Sequence, residues 1–103
     1  MCTFVHILIE MEIEFDEAKR LANLAKHGID FLDCESVFTD PNAITVEDSH
    51  HGEQRHGTVG TDDLGRLLVV AYTWRGERVR IISARKAQRR ETRSYTSCRD
   101  TLP

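Results

Sequence analysis

The chain holds 103 residues, 40% hydrophobic and 30% charged, with a formal net charge of −3. That length gives one domain whose core needs no disulfide or metal staple, and the composition excludes disordered and fibrous classes. Taken whole, the acidic balance argues against a nucleic-acid partner; taken by segment, it does not. Residues 75–99 carry nine Lys and Arg side chains against Glu77 and Glu91, a local charge of +7, while residues 1–74 carry 5 basic and 14 acidic side chains, a local charge of −9. Such segregation suggests one face that meets an anion, against the plainer reading of a solvated basic helix. Three widely spaced cysteines, Cys2, Cys34 and Cys98, form neither a disulfide framework nor a C-x-x-C metal pattern, which fits a reducing cytoplasm with Cys34 as a core residue.

The opening MCTFVHILIE has no positive n-region or small-residue cleavage site and is too short to cross a membrane, so no membrane partner is expected. Phe4, Val5, Ile7, Leu8 and Ile9 suit an extra edge strand. Met11 stands just before the first well-patterned segment, so residues 1–10 are expected to be an extension, 11–95 the domain and 96–103 a tail. EIEF (12–15) reads as a short strand. Asp16 is a suitable N-cap, Ala18, Leu21, Ala22 and Ala25 recur at helical spacing, and Gly28 follows as the C-terminal stop. Lys26 and His27 fall in the last turn, where the dipole favours cations. Asp30 opens a second short helix with Phe31, Cys34, Val37 and Phe38 on one face, ended by TDP (39–41). Four strands are expected next, at 43–48, 54–60, 66–74 and 77–84, with Gly65 and Gly76 marking tight turns and the last three forming an antiparallel meander. A final helix is expected from Ser83, its N-cap. The order β-α-α-β-β-β-β-α indicates an α+β fold, with helices on mainly one sheet face and the other open for function.

Within ERVRIISA, Val79 and Ile81 share a face, so Arg78 and Arg80 point the other way. On a helix starting at Ser83, Arg85, Arg89 and Arg93 would form an i, i+4, i+8 stripe flanked by Lys86 and Arg90. Cations at that end cost roughly 0.3–1 kcal/mol each, a local conflict of the kind that marks functional sites. The apolar side of that helix is thin: Ala84, Ala87 and Tyr95. Phosphate would relieve the repulsion, because Arg donates in a bidentate fork; so would an acidic protein. HHGEQRH (50–56) offers His50, His51, Glu53 and His56, but the spacing is not H-E-x-x-H and Gly52 suggests a loop. A polar loop is the first reading there, acid–base use of Glu53 or a histidine the second, a metal site the last. Tyr72 and Trp74 share a strand face with Leu68 and Val70 and read as core, Trp74 being partly exposed beside a turn.

EFDEAKRLANLAKHGIDF, then VFTDP, then GRLLVVAYTWRGERVRIISARKAQRRETRSY resemble the BrnT family of bacterial toxins over residues 12 to 95. The resemblance implies a RelE-like fold and an endoribonuclease that arrests translation and needs no cofactor. It also implies a neighbouring ribbon-helix-helix antitoxin in a two-plus-two assembly, with operator DNA bound only through the antitoxin. The motif's cations map to Lys26, His27, Arg80, Arg85, Lys86, Arg89 and Arg90, with Tyr95 closing it. Metal-free RNA cleavage uses the neighbouring 2′-hydroxyl as nucleophile and asks the protein for a base, an acid and cations. Arg80 and Arg85 are candidates to clamp the reacting phosphate. Arg78, Lys86, Arg89, Arg90, Arg93 and Tyr95 are candidates to hold flanking RNA. The base stays open among His27, His56, Glu53 and a desolvated Lys26. The alternative is a non-catalytic module, an inactivated toxin binding RNA or protein through the same basic face.

Overall fold

The computed structural model describes residues 12–48 and 55–101, with side chains described at 12–47 and 55–96. The extension at 1–10, His50, His51 and Glu53 lie outside them. The elements are β1 (Glu12–Glu14), α1 (Glu17–His27), a 3-10 turn (Phe31–Asp33), α2 (Glu35–Phe38), β2 (Ile44–Asp48), β3 (Arg55–Thr61), β4 (Leu67–Arg75), β5 (Arg78–Lys86) and α3 (Arg89–Thr101). One five-stranded sheet has the order β1-β5-β4-β3-β2. Strands β2 to β5 pair antiparallel through short connections. The antiparallel meander expected of the last three strands forms, and β1 joins β5 in parallel, so the sheet as a whole is mixed. The long chain between β1 and β5 imposes no hairpin and leaves the parallel pairing free to form.

The ends of α1 follow local chemistry. Asp16 accepts from the Lys19 N–H at 3.3 Å, and Gly28, at φ 72°, closes the helix by donating its N–H to the Leu24 carbonyl. A left-handed residue there favours glycine. The second helix is broken into the 3-10 turn and α2. Asp30 caps the first piece through the Leu32 N–H, and its pKa is held below the usual carboxylate range by that bond and by Arg20.

The core lies on the sheet face under these helices. Leu68, Val70 and Tyr72 of β4 and Val79, Ile81 and Ala84 of β5 pack against Ile29, Phe31, Cys34, Val37 and Phe38. Burial pushes the Cys34 thiol up to about 12, so it stays protonated at neutral pH. Gly60 of β3 sits so close to α2 that an added Cβ would lie 2.9 Å from the Val37 carbonyl oxygen.

Asn23 is the buried residue of α1, and the expected apolar stripe is not: Ala18, Leu21, Ala22 and Ala25 are all exposed, Leu21 to 52%. Beyond β1 the backbone of β5 has no strand beside it among the described residues, and Asn23 fills that place. Its Nδ2 donates to the carbonyls of Ala84 (2.8 Å) and Ile29 (2.9 Å), and its Oδ1 accepts the Ala84 N–H at 3.1 Å. A side-chain amide thus does there what a strand's peptide would do.

The final helix does not begin at Ser83. Ser83, Ala84, Arg85 and Lys86 continue β5, paired with Ala71, Val70, Val69 and Leu68. The apolar run of β4 needs a partner of equal length for its backbone groups, and that demand outweighs the N-cap preference of one serine. α3 starts at Arg89 and meets the sheet on the face opposite α1 and α2, at one end. There Tyr95 donates its hydroxyl proton to Asp40 Oδ2 at 2.7 Å and lies 3.2 Å from Thr61 Oγ1.

Candidate nucleic-acid interface

Strand β5 carries the candidate arginines, and its irregularity decides which way they point. Val79 and Ile81 are buried, so Arg78 and Arg80 face away from the core. Strict alternation would then aim Arg85 into the core. The pairing with β4 is regular on either side of a break: Tyr72 opposes Ile81, yet Ala71 opposes Ser83. Ile82 is therefore an extra residue, a β-bulge, and it reverses the alternation beyond it. Ala84 is fully buried as a result, and Arg85 joins Arg78 and Arg80 on the outer face.

Each of these guanidinium groups meets a carboxylate. Arg78 Nε lies 2.9 Å from Glu12 Oε2 and Arg80 Nη1 3.0 Å from Glu14 Oε2, the two acids being their register partners on β1. Arg85 grips Glu91 of α3 with both arms, at 2.8 and 2.6 Å. Glu91 also accepts the Gln88 N–H at 2.7 Å, one arm of a capping box that closes the first turn of α3. The Arg85 hydrogen bonds hold the Glu91 carboxyl below its usual range against the opposing effect of burial, and Glu91 in turn raises Arg85. The cations expected at a helix start are thus strand residues, one of them clipped to the helix it precedes. The first turn of α3 does hold Arg89 and Arg90, offset by Glu91. Lys86, Arg89, Arg90 and Arg93 are exposed and make no ion pair among the described residues.

The remaining sequence candidates scatter. Lys26 and His27 lie one turn beyond Asn23 on the same side of α1; Lys26 is exposed and His27 half-buried. His56 pairs with Tyr72 on the core side, their rings stacked with centroids 5.5 Å apart, so it faces away from Arg80 and Arg85. Tyr95, only 7% exposed, anchors α3 to β3 and to Asp40 instead of lying on the surface. Trp74 is 47% exposed, edge-on to Tyr72. Sequence reasoning missed Glu12, Glu14, Asn23 and Glu91. A signal for two of them was present: E-x-E in EIEF has the same period as R-x-R in RVRI, the mark of opposite charges facing across neighbouring strands.

Comparison with known proteins gives this geometry its class. Residues 15–91 match a family model described as the ribonuclease toxin, BrnT, of type II toxin–antitoxin systems. The fold is similar to the 1.1 Å crystal structure of the Brucella abortus ribonuclease toxin, BrnT, with a TM-score of 0.63 and 29% sequence identity over 77% of this chain and 99% of that one. No curated protein matches. The protein is thus a ribonuclease toxin, one that acts on RNA and pairs with an antitoxin. The chain belongs to the BrnT family. Among the described residues no helix is long and apolar enough to cross a membrane.

Proposed function

We propose that this toxin is a cytoplasmic, RelE-like endoribonuclease that cuts RNA without a metal ion and thereby arrests translation. A ribbon-helix-helix antitoxin silences it in a two-plus-two complex, which alone contacts operator DNA. The observation that carries the reading is the row of Arg78, Arg80 and Arg85 on one sheet face, continued by Arg89, Arg90 and Arg93 of α3, which make no ion pair among the described residues. Guanidinium groups stabilise the charge of a pentavalent phosphorane without a metal. The β4 partners of Arg80 and Arg85 are Thr73 and Val69, which puts the two arginines about 13 Å apart along the strand. While Glu14 and Glu91 hold them they reach separate phosphates, so Arg80 serves the reacting phosphate and Arg85, Lys86, Arg89, Arg90 and Arg93 the flanking chain. Acidic antitoxin side chains would compete for the same donors.

The test is cleavage of RNA by the purified toxin in EDTA, with Arg80→Ala and Arg85→Ala alongside. Cleavage that persists in EDTA and falls in both variants, by about 10²-fold or more for Arg80→Ala, is the expected result. Binding without cleavage by the wild type would make the protein a non-catalytic module. A strict metal requirement would move attention to HHGEQRH.

A further inference from the structure

Three carboxylates lie in the cationic row, and they are not equivalent. Glu12 and Arg78 sit at the sheet's outer end, 68% and 63% exposed, where water screens the pair. Glu91 is fixed by both arms of Arg85 and by the Gln88 N–H; with both oxygens committed it is a clip and a poor proton acceptor. Among the described residues Glu14 has one charged contact, Oε2 to Arg80 at 3.0 Å, and it is about one-third exposed. Its second oxygen has no hydrogen-bond partner among the described residues. Of the other candidate bases, His56 faces the opposite side of the sheet. Lys26 and His27 lie on α1 past Asn23, whose own contact with β5 is at Ala84 and not at Arg80, and neither is bonded to Arg80 among the described residues.

The geometry points to Glu14 as the general base of the RNA cleavage proposed above, taking the 2′-hydroxyl proton while Arg80 holds the adjacent phosphate. This assignment rests on the ribonuclease reading and deepens it. The 2′-oxygen bonds to phosphorus and its proton passes to the Glu14 carboxylate. The bond from phosphorus to the 5′-oxygen then breaks, and that oxygen takes a proton from water. The products are a 2′,3′-cyclic phosphate and a 5′-hydroxyl. Glu14 returns its proton to the hydroxide so formed and becomes an anion again.

The charge moves in a useful direction. Before proton transfer Glu14 neutralises Arg80. After it Glu14 is neutral, and the full charge of Arg80 falls to the phosphorane as that group gains negative charge. An interaction that strengthens only on the way to the transition state is the kind that raises the rate. The Arg85–Glu91 pair cannot act in this way, because Glu91 keeps its charge under three donors.

The experiment is single-turnover cleavage of an RNA oligonucleotide in EDTA from about pH 4 to 9 by wild type, Glu14→Gln and Glu14→Asp. Binding of a 2′-deoxy oligonucleotide of the same sequence and thermal melting are measured in parallel. The wild-type rate is expected to fall on the acid side. Glu14→Gln is expected to cut the rate about 10²–10⁴-fold, lose the acid limb and bind the 2′-deoxy oligonucleotide at least as tightly as wild type. Glu14→Asp keeps the limb at a lower rate, and it carries the test alone if Glu14→Gln does not fold. A folded Glu14→Gln that cleaves within about threefold of wild type, or keeps the acid limb, overturns the assignment and leaves the ribonuclease reading standing; so does a Glu14→Asp as fast as wild type. A wild type that does not cleave RNA removes both. Products ending in a 3′-hydroxyl, the mark of attack by water, remove Glu14's role alone.

Discussion

At Asn23 a polar side chain is buried where, among the described residues, it and not a strand meets the edge of β5. Three hydrogen-bonding groups depend on that amide: the carbonyls of Ile29 and Ala84 and the Ala84 N–H. Asn23→Ala leaves all three unpaired in a buried site, and the expected loss is about 3 kcal/mol, read from urea unfolding. Leu21→Ala, on the exposed side of the same helix, is expected to cost within about 0.5 kcal/mol. The contrast inverts what hydrophobic periodicity alone says of α1. Periodicity reports which residues are apolar, not which side of a helix faces a strand edge in need of partners.

Among the elements, β5 and α3 show what local sequence conveys and what it omits. The strand cores, the glycine turns and the caps of α1 were legible because each is set by residues within a few positions. The boundary between β5 and α3 was not, because the length of β5 is dictated by β4, a different segment. The outward pair Arg78 and Arg80 was foreseen in the strand alternation, but Arg85 was expected on the helix and joins them only through the bulge at Ile82. The carboxylate partners were not foreseen, since Glu12 and Glu14 come from the far end of the chain. Glu91 ties the two elements together, so its removal is expected to loosen α3 at its start. Glu91→Gln keeps an acceptor for the Gln88 N–H but leaves Arg85 without an anion. With both partners partly exposed, the expected cost is about 1 kcal/mol, a fall of roughly 5 °C in Tm, accompanied by faster amide hydrogen exchange in α3. Unchanged exchange there would mean that Tyr95 and Asp40 hold the helix by themselves.

For the molecule as a whole, the charge segregation in the chain is only partly kept in space, since Glu12 and Glu14 of the acidic part lie against Arg78 and Arg80. A hollow bounded by Asp33, Glu35, Asp62 and Asp63 belongs to the 3-10 turn, α2 and the β3–β4 turn. Asp62 lies there almost fully buried. Burial would raise its pKa, but hydrogen bonds from the Arg66 side chain and from the N–H groups of Arg66 and Leu64 outweigh it and hold the value below the usual range. Asp30 and Glu91 are depressed as well. For such groups the unfolded chain takes up protons first as pH falls. The stability they contribute is fully present above the ordinary carboxylate pKa, about 4, and is lost as pH drops through their lower folded values. Thermal melts should show a Tm that is flat down to about pH 5 and then declines. At this scale the extra residue Ile82 has a consequence of parity. It lets two arginines separated by an odd number of positions share one side of a strand, so a loss or gain of a single residue between them exchanges Arg85 with Ala84. The intervening length is therefore less free to vary than the residues that fill it.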